Sequence, residues 1–99
     1  MGLDMYINND NNEEVAYWRK HWDLHNAFEK LATHKGIEFD SFNCVPVPLE
    51  PGDLEYVESV LDIEYDDKTA MYYTYTNDIL THCKFLIGTG AKLTYDSWW

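Results

Sequence analysis

Val15-Ala16-Tyr17-Trp18-Arg19-Lys20-His21-Trp22-Asp23-Leu24-His25-Asn26-Ala27-Phe28 decides how this chain is read. Two tryptophans, a tyrosine, a phenylalanine, two histidines and an arginine stand within fourteen residues. At helical spacing Trp18, Trp22 and His25 share one side, with Tyr17, His21, Leu24, Phe28 and Leu31 beside them. The segment therefore predicts a first helix, capped by Asn12, carrying Glu13 and Glu14 at its positive end and running to about His34. Gly36 is its natural stop.

Working outward, Leu3-Asp4-Met5-Tyr6-Ile7 alternates apolar with polar and predicts a short strand. Asn8 to Asn12 predicts a loop, because Asn and Asp bond their own backbone. Ile37 to Phe42 reads as a loop or an irregular strand, and Cys44 to Leu49 as an extended edge weakened by Pro46 and Pro48. A second helix is expected over about Asp53 to Asp62, burying Leu54, Val57, Val60 and Leu61. A third, capped by Asp66 or Asp67, buries Tyr72, Tyr75, Thr76, Ile79, Leu80, Cys83, Leu86 and Ile87 and ends at Gly88-Thr89-Gly90. Tyr and Thr also suit a strand over Ala70 to Thr76, but the stripe continues unbroken into Leu80 and Leu86. Leu93 to Trp99 alternates as a terminal strand that can pair with Leu3–Ile7. These elements give one α+β domain over residues 1–99: a small antiparallel sheet formed by the N- and C-terminal strands, packed against three helices.

Charge narrows the class of partner. The net charge is −11, and nearly all of it comes from the middle of the chain. Residues 1–35 carry six acids against four bases, residues 36–68 ten against one, and residues 69–99 two against two. Direct nucleic-acid binding depends on Lys and Arg neutralising phosphates and is not expected. A protein partner with a basic surface suits this field, although acidity also serves solubility alone. No apolar run approaches the roughly 20 residues that span a bilayer. The first residues lack the basic and apolar regions of a secretory leader, and Tyr6 stands where a myristoylation site has Ser or Thr. A cytoplasmic protein is expected. Two cysteines, Cys44 and Cys83, make no disulfide framework and read as reduced, buried thiols.

Met1-Gly2-Leu3-Asp4-Met5-Tyr6, followed by Val15 to Lys20 with Leu24-His25-Asn26 and Phe28, resembles a family of small phage and prophage proteins. Its members begin MGLDMY, carry a YWRK…HxxF helix and are of uncharacterised function. The likeness extends loosely to Cys44-Val45-Pro46-Val47, to the aromatic third helix with Thr81, and to Tyr95-Asp96-Ser97-Trp98. The Phe-rich, Gly-containing hairpin that the family carries before the third helix has no counterpart here. The resemblance implies a viral accessory protein acting in a bacterial host cytoplasm and supplies no mechanism.

Three groups of residues are candidates for chemistry. His21 and His25 have the i, i+4 spacing of a shared metal, but the residues between them lack the glutamate of a helical zinc-protease motif, and no metal or other cofactor is expected. More in keeping with the residue types, His25 closes a buried hydrogen-bond network and His21 is partly exposed. Asp4, Tyr6, Tyr17, Trp18, Arg19 and His25 form a candidate pocket for a small ligand or nucleotide, since aromatic faces stack on bases and arginine forks onto phosphate or carboxylate. The plain alternative is tryptophans in the core and Arg19 paired with an acid such as Asp4.

Glu50, Asp53, Glu55, Glu58, Asp62, Glu64, Asp66 and Asp67 form a candidate protein-binding surface. On a helix rising about 1.5 Å per residue, Glu55, Glu58 and Asp62 could imitate the duplex's roughly one charge every 1.7 Å; a solvated helix face is the alternative. Nucleophile motifs and glycine-rich phosphate loops are absent from the sequence, so a non-enzymatic protein is expected. The leading expectation is an accessory protein that inhibits a host nucleic-acid-handling or anti-phage defence system. Exposed Trp and Tyr also suit a homodimer.

Overall fold

The computed structural model describes residues 3–61 and 70–99, the side chains of 70–75 and 77 excepted. Four strands, β1 (Asp4–Asn9), β2 (Glu14–Arg19), β3 (Val47–Leu49) and β4 (Leu93–Trp98), form an antiparallel sheet in the order β2-β1-β4-β3. Three helices, α1 (Trp22–His34), α2 (Asp53–Val60) and α3 (Ala70–Gly88), complete an α+β fold. The N- and C-terminal strands pair as expected, with Asp4 opposite Trp98 and Ile7 opposite Tyr95.

The principal correction falls on the first half of the deciding stretch. Glu14 to Arg19 is a strand, not the opening of a helix, and it pairs with β1 from Asp4↔Arg19 to Asn8↔Glu14. The turn before it explains why. Asn9 Oδ1 accepts from the amides of Asn11 and Glu13 at 3.0 and 2.9 Å, and the Asn9 amide donates to Glu13 O at 3.0 Å. Asn12 takes φ +61°, which Asn tolerates well, so the Asn-rich run closes a hairpin instead of capping a helix. Past the strand, Lys20 at φ +58° breaks the backbone and His21 becomes the cap of α1, its Nδ1 accepting from the Leu24 amide.

The other elements follow the sequence closely. α1 stops at Gly36, φ +80°, whose amide donates to Thr33 O while that of Ile37 donates to Ala32 O. This pair of bonds satisfies carbonyls at the end of a helix. Leu54 and Val57 of α2 are buried, with Val60 and Leu61 partly so. Residues 70–76 are helical, and Thr76, Leu80, Cys83 and Ile87 face the core. The expected burial of Tyr72 and Tyr75 concerns side chains that are not described, and the capping residues Asp66 and Asp67 lie outside the described residues. Residues 37–42 form a loop, and β3 is an edge strand bonded to β4 alone, consistent with its exposed Pro48.

The core lies between the helices and one face of the sheet. Met5, Ile7, Ala16, Trp18, Val47, Leu49, Leu93 and Tyr95 supply the sheet side. Leu24, Ala27, Phe28 and Leu31 supply the α1 side. Phe28 stacks on Tyr95 with ring centroids 3.8 Å apart and planes 7° from parallel, and Trp18 Nε1 donates to Thr76 Oγ1 of α3 at 3.1 Å. The opposite sheet face carries the alternate residues and faces away from this core.

Candidate functional site

The strand geometry of residues 14–19 divides the six candidate ligand residues between two environments. Trp18 is 1% exposed and points into the core. Tyr17 and Arg19, its neighbours, emerge on the outer face beside Asp4 and Tyr6 of β1. Cross-strand register builds this face in rows. Arg19, Asp4 and Trp98 make one row, and Tyr17, Tyr6 and Asp96 make the next. The Tyr6 and Tyr17 rings lie 5.2 Å apart at 51°, and the Tyr17 hydroxyl donates to Asp4 Oδ1 at 2.6 Å. That bond raises the Tyr17 hydroxyl above its ordinary 10.0, with burial and the Asp4 charge adding to it. The Tyr6 hydroxyl is also raised, first by burial and then by the charges of Asp4 and Glu14.

His25 sits on the other side of the sheet, 2% exposed, in a closed network. Its Nε2 lies 3.0 Å from Phe42 O and its Nδ1 2.7 Å from the Tyr95 hydroxyl. A carbonyl only accepts, so Nε2 carries the proton and Nδ1 accepts from Tyr95. Burial lowers the His25 pKa below its ordinary 6.5, keeping the ring neutral, and raises that of Tyr95. Phe42 O also accepts from Trp99 Nε1 at 3.0 Å. The Asn43 side chain brackets Trp99, accepting from its amide and donating to its carbonyl, each at 2.9 Å. The expectation of a buried network at His25 is met. His21, however, is buried rather than partly exposed, because its ring turns inward to cap α1.

Three of the four tryptophans are exposed: Trp22 at 46%, Trp98 at 65% and Trp99 at 40%. Trp22 and Trp99 meet edge to face at 5.7 Å, and Trp98 closes the Arg19–Asp4 row on the outer face. One end of the sheet is thus edged by tryptophan. This grouping escapes sequence reading, because it needs the β1–β4 register and the Asn43–Trp99 clasp. Its one visible signal is the Trp98-Trp99 pair itself.

The acidic candidates fare differently from one another. Lys35 Nζ lies 2.5 Å from Asp53 Oδ2 and 3.3 Å from Glu50, and also donates to Pro48 O. Lys84 lies 2.7 Å from Glu58. Glu55 is exposed on α2, and no ion pair reaches it among the described residues. Asp62, Glu64, Asp66 and Asp67 lie outside those residues. Cys83 is buried, its thiol pushed up to about 11 by desolvation. Cys44 is exposed instead of buried, because its φ of +60° turns the chain as the loop joins β4 through the Cys44 amide and Ser97 O.

Shallow concavities occur beside Pro48–Pro51 and residues 90–94, between α2 and α3 at Leu54 and Lys84, and around His34 and Tyr56. None of these three is lined by the six candidate ligand residues. Among the described residues, no group of three or more His, Cys, Asp or Glu is placed to hold a metal ion, and no helix is long and apolar enough to cross a membrane. Compared with protein-family models, curated proteins and solved structures, the chain matches none.

Proposed function

We propose that this chain is a non-enzymatic accessory protein of the phage type, acting in a bacterial cytoplasm by binding a host protein that presents a basic surface. The observation that carries the reading is the tryptophan-edged end of the sheet, set in a molecule of net charge −11. Exposed Trp, Tyr and Arg dominate binding energy at protein interfaces. A strong negative field speeds encounter with a cationic partner and disfavours nucleic acid. Glu55 of the acidic middle third is exposed and adds to that field, whereas Asp53, Glu58 and the exposed Glu50 are each partly neutralised by a lysine. A host nucleic-acid-handling or defence protein is the kind of target that offers such a surface.

Capture from bacterial lysate on the immobilised chain, eluted in steps of salt, tests this. A discrete protein retained at low salt and released by about 0.5 M salt is expected, because screening lengths fall to a few ångströms there. Retention indifferent to salt, or no retained protein, overturns the reading. A second reading, binding of a small ligand or nucleotide, draws on the adjacency of Asp4, Tyr6, Tyr17 and Arg19. A ligand that binds only the folded state raises the melting temperature, so a thermal-shift screen with nucleotides separates the two.

A further inference from the structure

We infer that the outer sheet face around Tyr6 is a seat for an arginine side chain of the protein partner, a deeper reading of the function proposed above and resting on it. Tyr6 stands at the centre of the face. Tyr17 lies on one side with its ring 5.2 Å away, and Asp96 lies directly opposite on β4. Asp4 precedes Tyr6 by two residues, which puts both on the same side of β1. Directly opposed residues in an antiparallel pair have Cβ atoms about 5 Å apart, so a group resting on the Tyr6 ring meets carboxylates on two sides.

Each carboxylate has one oxygen engaged: Asp4 Oδ1 with the Tyr17 hydroxyl and Asp96 Oδ1 with the Ser97 amide. The other oxygen of each accepts no bond among the described residues. The Tyr17–Asp4 bond also fixes the Tyr17 ring, so the seat is formed before anything binds. Burial raises the Tyr6 hydroxyl, with the charges of Asp4 and Glu14 adding to it, and the bond to Asp4 raises that of Tyr17.

A guanidinium matches this arrangement better than an ammonium. It is flat, stacks on an aromatic ring and donates in a fork to carboxylates, whereas lysine offers a strongly hydrated point charge. A phosphate is repelled by the same acids. The chain's one arginine, Arg19, stands opposite Asp4 at the corner of the face, one row away from the partly exposed Tyr6 and Asp96.

The test uses the full chain, isotope-labelled, titrated with hexa-arginine and hexa-lysine peptides at low salt and followed by amide and tyrosine-ring shifts. Shifts confined to residues 4–8, 15–19 and 94–98, with arginine binding at least about fivefold tighter than lysine, are expected. Replacing both acids, Asp4→Asn with Asp96→Asn, should weaken hexa-arginine about tenfold or more. Tyr6→Leu should weaken it comparably, while Tyr6→Phe, which keeps the ring, should bind as the parent does. Glu50→Gln with Glu55→Gln should change it less than about threefold. Shifts centred on residues 50–58, or equal affinity for the two peptides, overturn the seat while leaving the basic-partner reading to the lysate experiment. Concentration-dependent shifts of the same residues without peptide, lost in Arg19→Ala, make the occupant a second copy and also overturn it.

Discussion

Trp18 and Tyr17 are neighbours in β2, and the sheet sends them to opposite fates. Trp18 enters the core and bonds to Thr76 of α3, whereas Tyr17 lies half-buried on a polar face and bonds to Asp4. The inner face is covered by side chains of α1 and α3, Phe28 on Tyr95 and Thr76 bonded to Trp18, whereas the contacts of the outer face include the Tyr6–Tyr17 ring contact and the Tyr17–Asp4 bond across strands. The fully buried side chains of the sheet therefore lie on one of its faces and the half-buried ones on the other.

The sharpest test of that division is Trp18→Ala against Tyr17→Ala. The first should cost about 3–5 kcal/mol, the range for truncating a large buried aromatic. The second should cost less than about 1 kcal/mol. Urea denaturation of the two variants checks this, and similar midpoints would break the comparison. Next, His25→Ala should cost about 2–4 kcal/mol, since it leaves a cavity and withdraws the bonds to Tyr95 and Phe42. Near-ultraviolet circular dichroism should change with it, because Trp22, Phe42 and Tyr95 all pack against that ring.

Lys35→Met comes third, at about 1–2 kcal/mol in the same denaturation assay. It releases Asp53 and Pro48 O but keeps most of the apolar stem. The smallest effect is on pH. Burial lowers the pKa of both His21 and His25. The unfolded histidines bind protons as pH falls through about 6.5, while the folded ones resist. The stability these two groups contribute is therefore complete above that pH and declines below it. Thermal melts from pH 7.5 to 5.5 should show the fall, and His25→Phe should flatten it.

Much of this architecture was legible in the residues. The alternation in Leu3–Ile7 and in Leu93–Trp98, the stop at Gly36 and the stripe from Thr76 to Ile87 each obey one periodicity. Residues 15–18 obey two. Trp18, Trp22 and His25 recur at helical spacing, yet Ala16 and Trp18 also alternate with Val15 and Tyr17. What decides between them is nonlocal, because β1 needs a partner on its second edge and the Asn9 side chain closes the turn that supplies it. An asparagine-rich run between two alternating segments is the available signal, and here it marks a hairpin. The candidate site was legible to the same extent. Asp4, Tyr6, Tyr17 and Arg19 are adjacent, but Trp18 and His25 belonged with them only while the segment was a helix.

The place of β1 between β2 and β4 also sets the order in which the sheet can assemble. Its pairing with β2 spans a short turn and closes quickly, whereas its pairing with β4 joins opposite ends of the described chain and must await a long loop closure. In the interval the hairpin holds Met5, Ile7 and Trp18 on a surface that the last strand has not yet helped to cover. By sequence separation the β1–β4 pairing is the later of the two to close, and until it forms β1 presents one unpaired edge.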